Sequence, residues 1–208
     1  YDNNCSAKNN AKGKCFGGTA RLISAIEDAR SRHSNTILLD GGDQFQGTLF
    51  YNLYKGKVAA EMMNMLGYDG MAVGNHEFDD GPETLRVFMD SVDFPVLMAN
   101  ANVDMEPELK DQLQKSTTLY QNNRKIGLIG INTMDTAELS SPGENVIFTD
   151  AVAAVQSEVD FLTEAGVNII ILLSHSSYGI DKMIAANTTG VDVIVGGHDN
   201  TYLSNVSD

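Results

Sequence analysis

Four short stretches combine residue types that ligate metals and move protons: GGDQFQG at 41–47, GNHEFDDG at 74–81, SHS at 174–176 and GGHDN at 196–200. Three of the four histidines, His76, His175 and His198, fall in these stretches, whereas His33 does not. Any one of them, taken alone, reads most simply as a satisfied loop or core histidine. Four stretches that each offer an Asp, Asn or His, mostly beside glycine, shift the reading to divalent-metal chemistry. A carboxylate such as Asp43 can bridge two cations, imidazole suits zinc and its first-row neighbours, and an asparagine supplies a neutral carbonyl oxygen. Glycine beside a ligand lets the backbone turn sharply and lets a substrate come close. Two cations about 3.5–4 Å apart activate water and neutralise phosphate oxygens during in-line displacement.

The elements that must position these residues follow from apolar periodicity. Helix is expected over 19–33, with Leu22, Ile23, Ile26 and Ala29 on one face, and again over 51–66, where Met62, Met63 and Met65 read as core filling. Proline at a first turn marks a helix over 82–92, and Thr149-Asp150 caps one running to 165. A further helix is expected over 180–186. Strands are expected over 36–40, 71–73, 94–99, 167–173 and 191–195, with a hairpin pairing 117–121 with 125–131. Residues 100–114 read as polar loop with some helix. Each of the four stretches therefore follows the carboxyl end of a strand, the usual ligand edge of an α/β sheet. The fold class is α/β.

The composition bounds the partners. The chain has 208 residues, 42% of them hydrophobic, and a formal net charge of −14. So acidic a chain lacks the net basic face that nucleic acid or an anionic membrane requires. It can still bind a phosphorylated small molecule if metal ions supply the positive charge. No apolar run approaches the roughly 20 residues needed to cross a bilayer, and no N-terminal signal pattern is visible. The two cysteines, Cys5 and Cys15, lie ten residues apart in a polar segment, and a local disulfide is the better reading of them. With sequons at Asn4, Asn187 and Asn205, it favours an extracellular, oxidising compartment.

The four motifs together resemble the dinuclear metallophosphoesterases, and more closely their 5′-nucleotidase/apyrase branch of secreted and cell-surface enzymes. The resemblance extends to FGGTARL at 16–22 and QGTLFYNLYKG at 46–56, and covers nearly the whole chain. It implies a layered α/β/β/α sandwich of the calcineurin-like type and hydrolysis of a small nucleotide with release of phosphate. It also implies two divalent metal ions, zinc foremost, with manganese, calcium or magnesium as alternatives. Asp43 would bridge both metals; Asn75, His175 and His198 would complete the second metal's shell, and Asn200 would reach the first. His76 would face the scissile phosphate without binding metal, with Asp79 orienting its imidazole. Asp79 has a second reading as a helix cap before Pro82. Glu77 and Asp80 are expected to stay solvated, and Phe78 to join the core.

Two departures from the family pattern stand out. The family has an earlier strand ending in an Asp-x-His pair, for which Asp2 is the only candidate here and lacks the histidine. The family also continues into a nucleoside-gripping domain. The expectation is therefore a catalytic domain over 1–208 without its first strand and second domain, weak or inactive in isolation. The alternative function is a non-catalytic nucleotide- or partner-binding protein on the same scaffold. The retained His76–Asp79 pair disfavours it, since binding alone needs no group aimed at a transition state.

Overall fold

The computed structural model describes residues 5–47 and 49–203, so Asp2, Asn4 and Asn205 lie outside the described residues. The disulfide between Cys5 and Cys15 closes the loop holding α1 (Ala7–Ala11), a single turn capped by Ser6. Helix α2 (Thr19–Arg32) ends at His33. Its Arg30 guanidinium reaches the carbonyls of Leu66 and Gly67 at 2.8 and 2.7 Å, placing a cation at another helix's carboxyl end, where it is favoured.

Three parallel strands form the first sheet in the order β1 (Leu39–Asp40), β2 (Gly70–Ala72) and β3 (Val96–Leu97). Between β1 and β2 lie α3 (Leu49–Tyr54) and α4 (Lys57–Leu66), and between β2 and β3 lies α5 (Gly81–Met89). The single helix expected over 51–66 is thus two. The chain turns through Lys55 in the left-handed region, at φ 54°. There Lys55 Nζ and the Tyr51 hydroxyl both bond Asp80, at 2.8 and 2.5 Å. Of the expected methionine cluster, Met63 is buried and Met65 is exposed.

A two-stranded ribbon follows, β4 (Ala101–Asn102) paired with β7 (Ile147–Phe148). Strand β4 corrects the expectation of loop over 100–114, because two residues carry too little periodicity to mark a strand. The second sheet runs β5 (Ser116–Gln121), β6 (Arg124–Asn132), β8 (Ile170–His175) and β9 (Val193–Gly196). The β5–β6 hairpin is antiparallel, and β6, β8 and β9 are parallel. The one-turn helix α6 (Thr136–Leu139) follows β6, and α7 (Ala151–Glu164) and α8 (Tyr178–Asn187) are the crossovers. Asp150 caps α7 through its side chain.

The apolar residues sort into layers. One face of the first sheet is covered by Met63 of α4 and Leu85 and Phe88 of α5, joined by Phe45 and Phe78 from the turns after β1 and β2. Helices α7 and α8 cover the second sheet through Val155, Val159, Leu162 and Ile184. Between the sheets sit Leu97, Ile126 and Leu128 with Ile37 and Leu39. The approach there is close: a Cβ on Gly130 would fall 2.6 Å from that of Leu97. This is the α/β/β/α order, and it directs the ends of β1, β2, β8 and β9 to one edge.

Asp40, the last residue of β1, is buried beneath that edge. Burial pushes its carboxyl from the ordinary 3.8 up to about 6, against hydrogen bonds from Gly42, Gln44 and Tyr68. A carboxyl with a raised folded pKa stabilises as the neutral acid; that contribution is complete below about pH 4 and lost as pH climbs through 6. Asp40→Asn cannot ionise, so it should gain on wild type by up to about 3 kcal/mol between about pH 4 and pH 7. Urea unfolding of both proteins at the two pH values measures this, and a difference that ignores pH refutes it.

Candidate metal centre

The first donor comes from the turn after β1. Gly42 takes φ +93°, and a Cβ there would lie 2.7 Å from the Gly74 nitrogen, so only glycine lets these two turns touch. Asp43 follows at φ 64°. Its Oδ1 accepts the His76 N–H at 3.0 Å, and its Oδ2 lies 3.1 Å from His175 Nε2. Asn75 is buried in the turn after β2, and His175 ends β8. His198 follows β9 at φ 72°. One ligand atom each from Asp43, His175 and His198 lie within 4.8 Å of one another.

The hydrogen bonding of His175 defines what this cluster needs. Its Nδ1 lies 2.6 Å from the Gly41 carbonyl, which can only accept, so Nδ1 carries the proton. Nε2 then points at Asp43 Oδ2 and at Asn75 Oδ1, 3.2 Å away. His198 Nδ1 approaches the same Asn75 oxygen at 3.2 Å. With His175 neutral, a nitrogen lone pair, a carboxylate and an amide oxygen would meet with nothing positive between them. Either a proton or a cation must fill that point, and N and O donors of these types suit a divalent metal. Burial opposes a charged His175, but the Asp43 carboxylate and the Gly41 carbonyl outweigh it and raise the pKa. Burial likewise pushes Asp43 up, and the His175 hydrogen bond and charge hold it below the usual carboxylate range.

Beside this cluster His76 Nδ1 bonds Asp79 Oδ2 at 2.8 Å. Asp79 also accepts from Gln46 Nε2 at 2.9 Å and from the Ser140 hydroxyl at 2.8 Å. The capping position of α5 belongs to Asp80, without a side-chain bond, and not to Asp79. Asp80 is exposed and Phe78 is core. Asn200 is exposed, with its amide 3.4 Å from the His198 carbonyl, while Asp43, Asn75, His175 and His198 meet through their side chains.

Glu77 corrects an expectation: it is fully buried, not solvated. Its carboxylate accepts backbone N–H groups from two turns, and those bonds draw it inward. Gln46, Ser140 and the Gly41 carbonyl also serve this site, and their residue types alone carry no signal of metal or proton chemistry. Gln46 stood inside the GGDQFQG motif, but nothing around Ser140 signals its place beside Asp79.

The family model for Calcineurin-like phosphoesterase matches residues 12–202. The chain belongs to this family. Among curated relatives, the 5′-nucleotidase of Diplobatis ommata is 48% identical over 202 residues, covering 94% of this chain and 35% of that protein. The human 5′-nucleotidase is 43% identical, covering 91% of this chain and 34% of its own length. The crystal structure of a 5′-nucleotidase precursor from Thermus thermophilus superposes with a TM-score of 0.89 at 41% identity, over 92% of this chain and 38% of that one. The chain thus spans about a third of the length of the relatives it matches.

A calcineurin-like phosphoesterase site built in this way must shed the His175 proton when a cation enters. Apparent metal affinity should therefore weaken as pH falls, because the raised His175 pKa makes the proton the stronger competitor. Calorimetric titration in two buffers of different ionisation enthalpy should detect proton release, and its absence would contradict the assignment.

Proposed function

We propose that this chain is the phosphoesterase domain of a metal-dependent hydrolase that releases phosphate from extracellular nucleotides, as a 5′-nucleotidase or apyrase. One juxtaposition carries the reading: the cation-demanding cluster of Asp43, Asn75, His175 and His198 shares a hydrogen bond with the His76–Asp79 pair, from the His76 N–H to Asp43. A binding protein has use for the cluster alone; the adjacent histidine, held by a carboxylate, suits proton transfer. Asp43 would help to hold two divalent cations, with Asn75, His175 and His198 holding the second and Asn200 the first. Zinc leads, ahead of manganese, calcium and magnesium. Bound there, the cations would supply an activated water and neutralise phosphoryl oxygens.

The chain's own residues supply the rest. Asp79 accepts from His76 Nδ1, which leaves Nε2 for a phosphoryl or leaving-group oxygen. Gln46 and Ser140 fix Asp79, so the imidazole is aimed before substrate binds. The nucleoside is gripped by a further domain in this reading, in keeping with relatives about three times as long. The Cys5–Cys15 disulfide and the likeness to a snake venom 5′-nucleotidase of Naja atra support action outside the cell. No helix among the described residues is long and apolar enough to cross a membrane.

The test is phosphate release from AMP, ADP and ATP by the full-length protein supplied with zinc, manganese or calcium. His76→Ala should lower kcat by about 10²–10⁴-fold with metal content unchanged, whereas His175→Ala should lose metal. No phosphate from any of the nucleotides, or equal metal loss in both variants, would sink the reading.

A further inference from the structure

Glu77 is 0% exposed and has no part in the chemistry assigned above. Its Oε2 accepts the N–H groups of Asp43 at 2.8 Å and Gly74 at 2.6 Å. Its Oε1 accepts those of Gln44 at 2.7 Å and Phe45 at 3.1 Å. Four N–H groups occupy the four acceptor sites of one carboxylate. Three of them come from successive residues of the turn after β1, and such a run of N–H groups forms a concavity that binds anions. Here the anion is the chain's own. No backbone carbonyl among the described residues accepts from Asp43, Gln44 or Phe45, so this side chain holds the N–H groups of all three, while Asp40 accepts from the Gly42 N–H and the Gln44 amide beside them.

The turn needs holding, because Asp43 and Gln46 both take left-handed backbone conformations, at φ 64° and 80°. Glu77 is the middle residue of the 3₁₀ turn His76–Phe78, which Asn75 precedes and Asp79 follows. One carboxylate therefore ties the Asp43 turn to the turn that carries Asn75, His76 and Asp79. A glutamine in its place would set its amide hydrogens against two of the same N–H donors.

We propose that Glu77 is the positioning residue of this centre: it shapes the 41–47 turn before any cation arrives and aims Asp43 at the point faced by Asn75, His175 and His198. The inference rests on the metal-centre reading given above. It goes beyond that reading in assigning the order of events, with the turn formed first and the metal received second.

Hydrogen exchange of the metal-stripped, full-length wild type, read by mass spectrometry over peptides spanning 43–45, tests this directly. These amides should exchange slowly without metal and change little when Co²⁺ is added. Glu77→Gln should expose them to fast exchange and weaken Co²⁺ binding by about 10–100-fold. The visible absorption of the bound Co²⁺ should also change in that variant. Fast exchange at 43–45 in metal-free wild type, with protection arising only on Co²⁺ addition, overturns the proposal. So does a folded Glu77→Gln protein with wild-type Co²⁺ affinity and spectrum. The wild-type exchange decides the matter even if the variant does not fold. A wild type that protects 43–45 but binds no Co²⁺ instead counts against the metal-centre reading.

Discussion

The site is organised around one electrostatic demand. The Gly41 carbonyl commits His175 Nδ1 to donating, so Nε2 turns toward Asp43 and Asn75, two groups that also offer lone pairs. Acceptors set against one another in a largely buried place are unfavourable unless something positive lies between them. That demand gives four separated pieces of sequence a reason to meet. It also reconciles a chain of net charge −14 with a phosphorylated ligand, because the positive charge arrives with the cation.

Negative charge is layered beneath this point. Asp40 closes β1, Asp43 faces the cluster, and Glu77 lies fully buried below both turns. Burial together with the Asp43 charge pushes the Glu77 pKa up, and the N–H groups of Asp43, Phe45 and Gly74 hold it down. Carboxylates placed so close are tolerable where N–H groups or a cation answer them. The fold supplies the first through the turns after β1 and β2.

Backbone strain gathers at the same edge. Asp43, Gln46, His198 and Asn200 all take positive φ, a region that residues other than glycine visit infrequently and that recurs at functional sites. The two sheets make these turns possible. Close packing of Gly130 on Leu97 brings the sheets together, so that turns from β1 and β2 meet those from β8 and β9.

By itself the sequence determined the α/β class, the order of the longer helices and strands, the Cys5–Cys15 pairing and the identity of Asp43, Asn75, His76, Asp79, His175 and His198 as the residues to watch. Periodicity and unusual residue types are local signals, and these features are written locally. Only the tertiary structure decided that Glu77 lies buried against two turns, that Gln46 and Ser140 steady Asp79, and that one expected helix is two. A carboxylate beside a histidine reads as solvated until the N–H groups that draw it inside are known. Those groups come from residues more than 30 positions away, and such long-range partners leave no periodicity in the chain to read.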